Sequence, residues 1–165
     1  MRTPLAPDID FTPIDPRYVK VTVIRNLLVW LPLLIIAAVV AFFLNKENLV
    51  NLLIWLLPVV IAALFGWSLW LSVRRARALG YAELEEELLV RSGIMFQSLT
   101  VVPYGRMQQV EISSGPLLAK FGLASVELVT ASSDTNAAIP GLEKNEAERL
   151  RTKLTALGMS NMEGL

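Results

Sequence analysis

Residues 27–44 read LLVWLPLLIIAAVVAFFL, an uncharged apolar run close to the roughly 20 residues that a helix needs to cross a bilayer. A second uncharged run, Leu49–Val73, is longer. A buried helix of a soluble protein can be equally apolar, but two such runs within 165 residues argue against that interpretation. The sequence therefore predicts two spanning helices, at about residues 26–44 and 49–73, in a transmembrane hairpin over residues 17–79.

The orientation of this hairpin follows from its short connector and its basic residues. Four residues, NKEN at 45–48, join the two runs, so the helices return side by side and both termini share one face. Cytoplasmic flanks of membrane spans are enriched in Lys and Arg. The connector holds Lys46 alone, whereas six basic residues flank the runs on the other side: Arg17, Lys20, Arg25, Arg74, Arg75 and Arg77. The sequence predicts a multi-pass membrane protein with both termini in the cytoplasm.

Six residues are candidates for contact with the membrane surface: Trp30, Trp67, Trp70, Arg74, Arg75 and Arg77. The three tryptophans lie toward the predicted cytoplasmic ends of the spans, where an amphipathic ring favours the headgroup level. The three arginines follow the second span and fit two roles. They are topology determinants in the simpler interpretation and contacts to anionic headgroups in the other.

Composition argues against several classes of function. The absence of Cys and His removes thiol nucleophiles, thiolate metal sites, the usual general base and the commonest metal ligand. Residues 81–165 hold seven Lys and Arg against eleven Asp and Glu, which is unlike the basic surface of a nucleic-acid-binding protein. Neither apolar run carries a charge that would mark an ion path. We therefore expect no enzyme, no transporter, no cofactor or metal, and no nucleic-acid partner.

The apolar pattern changes after Gly80. A Ser92-Gly93 turn signal separates β-favouring runs at 88–91 and 94–102, which predicts a hairpin. Further strands are predicted at 107–113, 123–131 and 137–139, with a short turn or helical crossover at 115–122. A final amphipathic helix, ended by Gly158, carries its apolar residues on one face: Ala147, Leu150, Leu154 and Leu157.

These elements predict an α+β membrane protein in which the two-helix hairpin precedes a small antiparallel β-barrel or curled sheet with a C-terminal helix. The folded cytoplasmic module covers residues 80–158. Residues 1–16 are rich in Pro and Asp and are predicted to form an irregular cytoplasmic tail, and residues 159–165 form a second tail.

An ordered set of short motifs resembles the bacterial pleckstrin-homology-like domain of the YdbS-like membrane protein family. The resemblance extends from about Ile14 to Leu157. The motifs that carry it are Leu79-Gly80-Tyr81, Arg91 to Gly93, Pro103-Tyr104-Gly105-Arg106, Gly115-Pro116-Leu117, Gly122-Leu123-Ala124 and Thr130-Ala131. It implies a two-span anchor in the bacterial cell membrane, a pleckstrin-homology-like barrel in the cytoplasm, and a larger membrane protein with related domains as a plausible partner.

The chain departs from this family where relatives often place two basic residues after glycine-proline-leucine. Here the corresponding stretch is LAKF, with Lys120 alone. Together with the acidic balance of the module, this departure argues against a phosphoinositide pocket, because anionic headgroups need clustered Lys and Arg.

The function favoured by the sequence is a non-catalytic interaction scaffold. Its candidate contact residues are Arg106 and Lys120, although an Arg in a turn between strands also fits a structural pairing with a carboxylate or carbonyl group. The alternative is a subunit of a larger membrane assembly that handles envelope lipids or export. The expected partners are the lipid bilayer, a protein, and a second copy of the chain in a homo-oligomer.

Overall fold

The computed structural model describes residues 9–44, 51–130 and 136–163, without the side chains of residues 51–53 and 159–163. The chain divides into two compact units. The helical unit comprises Thr22–Arg74, and the sheet unit comprises Met1–Val21 with Arg75–Leu165. The predicted connector at 45–48 lies outside the described residues.

Two long helices carry the apolar runs. Helix α1 spans Arg17–Leu44 and helix α2 spans Asn51–Ala78. Each has 28 residues and is therefore about 42 Å long, more than the roughly 30 Å of a hydrocarbon core. Only 11% and 6% of the residues in their most apolar stretches are buried within the chain, unlike the core helix of a soluble protein. Length, composition and exposure all fit membrane spans.

Small and polar side chains join the two helices within the helical unit. Ala37 and Ala41 of α1 are buried. The Asn26 side-chain amide donates to Ser72 Oγ at 3.1 Å, and Ser68 Oγ donates to Asn26 Oδ1 at 3.0 Å. These bonds pair polar side chains of α1 and α2 with each other, and such bonds contribute to the association of membrane helices.

The sheet unit consists of two antiparallel sheets and two further helices. The first sheet has the order β1-β2-β3-β4 and the second has the order β5-β6-β7. The strands are β1 Thr12–Pro13, β2 Gly80–Glu83, β3 Glu87–Ser92, β4 Ser98–Pro103, β5 Met107–Ser113, β6 Leu123–Thr130 and β7 Ala137–Glu143. A 3₁₀ turn, Tyr104–Arg106, joins the sheets, α3 spans Pro116–Lys120, and α4 spans Lys144–Glu163.

One main core lies between the sheets and α4. Ala147, Leu150 and Leu154 of the predicted apolar face are fully buried, and Leu157 packs against them partly buried. Tyr104 is fully buried, and its hydroxyl donates to the carbonyl oxygen of Leu84 at 2.8 Å. The predicted α+β arrangement, with antiparallel strands closed by a C-terminal helix, is confirmed.

The N-terminal segment differs from the predicted tail. β1 pairs antiparallel with β2, with Thr12 opposite Tyr81. Phe11 and Ile14 are 4% and 7% exposed, so residues 9–16 are part of the folded unit. The short segment has neither the length nor the alternation of an ordinary strand, and its place is decided by pairing and burial.

Three further boundaries differ from prediction. β7 extends to Glu143 instead of ending at Ile139. β4 begins at Ser98 instead of Ile94, because residues 93–97 form the turn that leaves β3. Gly93 has φ +89°, and a Cβ there would lie 2.0 Å from the carbonyl oxygen of Phe96, so the turn requires glycine. Helix α4 continues through Gly158 to Glu163, into the predicted C-terminal tail.

Candidate functional site

β5 is an edge strand of the second sheet. It pairs with β6 in the register Val110 opposite Leu128 and Ile112 opposite Val126, and among the described residues no strand pairs with its other side. A register shift between Met107 and Gln109 bends its first half. An edge strand presents unpaired backbone N–H and C=O groups, which can pair with another extended chain.

A groove of about 220 Å³ runs between β5 and α4. Met107 and Leu154 are buried at its floor, and Gln109 and Thr155 are exposed at its rim. The complete lining is Met107, Gln108, Gln109, Val110, Leu154, Thr155 and Gly158, without a charged side chain. Pockets for small molecules usually measure about 300–1,000 Å³. The groove therefore suits an apolar side chain of an extended peptide better than a cofactor.

Ion pairs hold α4 against the first sheet and so fix one wall of the groove. Glu83 of β2 pairs with Arg149 Nη2 at 2.5 Å and with Lys153 Nζ at 2.6 Å. Arg149 also pairs with Glu146 at 2.6 Å, and the Tyr81 hydroxyl donates to Glu146 Oε1 at 2.9 Å. The bonds from Glu83 and Tyr81 to α4 link residues far apart in sequence, so the helix has one defined position over the sheet.

The pKa values of this cluster follow from its contacts. Burial raises the pKa of Glu83, but the hydrogen bonds from Arg149 and Lys153 outweigh burial, so the pKa lies below its ordinary value. The hydrogen bond from Arg149 is the largest cause of the lowered pKa of Glu146. Burial, followed by the bond to Glu146, raises the pKa of Tyr81 to about 12. At neutral pH the carboxylates are charged and the phenol is neutral, as the hydrogen bonds require.

At one end of the first sheet, Arg91 connects the sheet to the end of α2. Its Nε donates to the carbonyl oxygen of Ala78, the last residue of α2, at 3.1 Å, and its guanidinium lies 5.4 Å from the centre of the Phe11 ring. A cation at a helix C-terminus satisfies a free carbonyl group and interacts favourably with the helix dipole. The buried Arg91 therefore has a structural task.

The order of these elements, two apolar helices followed by two antiparallel sheets and a closing helix, agrees with the comparison to known families. The family model described as "Bacterial PH domain" matches residues 18–157. The chain belongs to the bacterial PH domain family. The match includes both apolar helices, so the helical hairpin and the PH domain occur together in this family's pattern.

A relative supports the same assignment. The chain is 41% identical over 83 residues to the UPF0699 transmembrane protein YdbS of Bacillus subtilis (strain 168), an alignment that covers 50% of this chain and 51% of the relative. The chain thus spans about half the length of the curated relative it matches. The predicted resemblance to YdbS-like bacterial PH-domain membrane proteins is confirmed, as is the membrane character of the protein. No solved structure matches the chain.

The structure does not bring the two candidate contact residues of the PH domain together. Arg106 is exposed at the end of the 3₁₀ turn, directly before β5. Lys120 is exposed at the end of α3, which follows β5. β5 has 7 residues and is therefore about 20 Å long, so the two cations lie beyond opposite ends of the free edge.

The candidate membrane-surface residues are exposed or partly exposed on the helices. Trp67 and Trp70 have ring centres 5.5 Å apart, and the Arg74 guanidinium lies 4.5 Å from the centre of the Trp70 ring. Trp30 lies 6.3 Å from Phe65 and is half-buried. Arg75 and Arg77 are exposed in the last turns of α2. Assignment of these residues to the membrane surface stays a prediction.

Sequence reasoning did not assign a role to Trp55, which is 45% exposed near the start of α2. It lies about 22 Å along the helix from Trp70, a distance shorter than the roughly 30 Å of a hydrocarbon core. Its place in the first turns of α2, at the other end of the helix from Trp67 and Trp70, was the signal that could have suggested a second interfacial tryptophan.

Sequence reasoning also missed the cluster that positions α4. The helical spacing of Glu146, Arg149 and Lys153 predicts that they share a face, but nothing local assigns Glu83 to them. Among the described residues no three acidic side chains are grouped so that they could hold a metal ion. Glu83 is paired with the cations of Arg149 and Lys153. The expected absence of a metal stays a prediction.

Proposed function

We propose that this protein is a non-catalytic scaffold of the bacterial cell membrane, which presents its PH domain in the cytoplasm to bind an extended segment of a partner protein. The observation that carries the proposal is the free edge of β5 beside the groove at α4. An added strand gains backbone hydrogen bonds from the edge and specificity from the pocket that its side chains enter.

Several features support this occupant over others. The lining of the groove is apolar or neutral, so a segment with one apolar side chain and neutral polar neighbours fits it. The ion pairs between Glu83 and α4 hold the wall of the groove in place before binding, which reduces the entropy lost on association. Arg106 and Lys120 lie beyond the two ends of β5 and favour acidic residues that flank the bound strand.

The absence of catalysis is part of the proposal. The ionisable groups with shifted pKa values described above, Tyr81, Glu83 and Glu146, are paired with one another or with cations of α4. Their shifts follow from structural ion pairs, which perturb pKa values without implying chemistry. The cytoplasmic position of the domain and both termini rests on the six flanking basic residues.

A photo-crosslinking experiment on the full-length protein in cells tests whether a partner protein binds at the edge of β5. p-Benzoylphenylalanine at Gln108, which lines the groove, is expected to give a discrete crosslinked protein. The same residue at Glu127, exposed on the central strand β6, serves as the matched control and is expected to give none. Equal crosslinking from both positions contradicts the proposal.

A groove-filling variant makes this test specific. Thr155 lines the groove and Thr152 does not, yet both are exposed on α4 and both hydroxyls donate to the carbonyl oxygen four residues earlier. Thr155→Trp is expected to abolish the crosslink from Gln108, whereas Thr152→Trp retains it. A crosslink that survives Thr155→Trp places the partner elsewhere. A crosslinked second copy indicates a homo-oligomer, and a larger membrane protein favours the alternative role as a subunit of an assembly for envelope lipids or export.

A further inference from the structure

The turn between β3 and β4 presents two apolar side chains to solvent. Met95 is 83% exposed and Phe96 is 89% exposed. Among the described residues of the sheet unit, Val101 is the other exposed large hydrophobic residue, at 38%. The turn conformation is fixed by Gly93, since no other residue has room at that position. The conformation of the turn therefore holds the side chains of Met95 and Phe96 in solvent.

Strand register places this turn at the end of the first sheet to which both membrane spans connect. Pro13 of β1, just before α1, lies opposite Gly80 of β2, just after α2. Gly80 in turn lies opposite Arg91 of β3, and the chain then enters the turn. Both chain connections to the apolar helices and the Met95–Phe96 turn thus leave the sheet from the same end. The turn between β2 and β3, at residues 84–86, lies at the opposite end.

We propose that Met95 and Phe96 form a membrane-binding tip, which inserts into the headgroup region of the bilayer that the protein's own spans cross. Six residues, 74–79, separate Val73, the last apolar residue of α2 before the arginines, from Gly80 at the start of β2. The end of the sheet that carries the tip is therefore joined to the apolar span by a short stretch of chain.

The chemistry around the tip fits a bilayer surface. Phe and Met gain free energy when they leave water for the boundary between headgroups and acyl chains. Arg75 and Arg77 are exposed in the last turns of α2, just before the same end of the sheet, and attract anionic headgroups. This contact with lipid differs from the free edge of β5 and lies on the other sheet. It gives the tethered domain a second attachment to the membrane.

The absence of native cysteine allows a direct test with the full-length protein in nanodiscs of phosphatidylcholine and phosphatidylglycerol. An environment-sensitive fluorophore is attached to Gln97→Cys, which is exposed beside Phe96 and leaves the tip intact. Glu85→Cys, exposed in the turn at the opposite end of the sheet, carries the matched control label. The expected result is loss of emission with nitroxide-labelled lipid and protection from aqueous iodide at Gln97, with neither effect at Glu85.

A tip variant decides whether the apolar side chains cause the contact. Met95→Ser combined with Phe96→Ser is expected to remove both effects from the Gln97 label while the thermal unfolding of the domain stays unchanged, because both side chains are exposed. The proposal is overturned if the Gln97 label behaves like the Glu85 label, or if quenching by lipid survives the double substitution. Protection from iodide without quenching by lipid also overturns it, because a protein then covers the tip.

Discussion

Replacement of Gly141 by alanine tests how the N-terminal segment docks on the folded unit. Gly141 in β7 has φ +73°, and a Cβ there would lie 2.5 Å from Cγ of Tyr18 and 2.6 Å from its Cβ. The backbone N–H of Asp15 also donates to the carbonyl oxygen of Gly141 at 3.1 Å. The absence of a side chain at Gly141 thus allows the start of α1 to lie directly against β7.

The expected cost has two parts that a second glycine separates. A positive φ costs an L-residue about 1–2 kcal/mol. The overlap with Tyr18 adds about 1–3 kcal/mol, the usual cost of overpacking. Gly122 has φ +69° but no atom of the described chain within 4 Å of its ideal Cβ. Gly122→Ala therefore carries the first part alone, and Gly141→Ala is expected to cost about 2–5 kcal/mol in total.

Thermal unfolding of the full-length protein in detergent, followed by circular dichroism, measures the difference. One kcal/mol corresponds to about 4–8 °C in a domain of roughly 60–100 residues, so Gly141→Ala is expected to melt lower than Gly122→Ala by at least about 4 °C. Hydrogen exchange at Asp15 is expected to accelerate in Gly141→Ala alone. Tyr18→Ala in the Gly141→Ala background is expected to recover part of the loss, because the overlapping ring is gone.

The reasoning fails if the two alanine variants melt at the same temperature and exchange at Asp15 alike. In that case the ring of Tyr18 does not lie against Gly141 in solution, and the N-terminal segment is not docked as described. An equal loss in both variants with no rescue by Tyr18→Ala would leave backbone conformation as the whole effect.

Three other predictions concern charge, the helical hairpin and topology. Because Glu83 has a lowered pKa, its contribution to stability is present above about pH 4.5 and is lost as the pH falls through the folded-state pKa. Glu83→Gln is therefore expected to cost about 1–2 kcal/mol at pH 7 and to flatten the acid side of the melting-temperature profile. The exposed control Glu85→Gln is expected to change neither the stability at pH 7 nor the shape of the profile. An unchanged acid limb would exclude this ion-pair cluster as its source. Asn26→Leu removes two hydrogen bonds between the helices and is expected to lower the free energy of unfolding of the hairpin by about 1 kcal/mol, measured by titration with a denaturing detergent; an unaltered midpoint would show that these bonds do not contribute. A reporter fused after Leu165 is expected to be active only in a cytoplasm-dependent format and one inserted at Lys46 only in an exported format, and the reverse pattern would place the PH domain outside the cytoplasm.

Local sequence patterns predicted the elements whose burial follows from the spacing of apolar residues within one stretch of the chain. An uncharged run as long as a bilayer is thick has one stable conformation, because every backbone polar group in lipid must be satisfied within the helix. The apolar face of α4 was predicted from its period, and Ala147, Leu150 and Leu154 are buried as that period requires. The ordered set of short motifs predicted the family to which the chain belongs, and the comparison confirmed it.

Tertiary structure decided the features that depend on residues far apart in the chain. The sequence of β1 has no periodic signal for a strand. β1 forms because it pairs with the edge of β2, which follows both apolar helices in the chain. Glu83 became part of a structural cluster because the fold brings α4 against it. The groove beside β5 and the common end of the sheet shared by Gly80 and the Met95–Phe96 turn likewise follow from sheet order and register. Hydropathy and helical period are properties of neighbouring residues, whereas pairing across sheets is fixed by which distant surfaces bury each other best, and no short stretch of sequence contains that information.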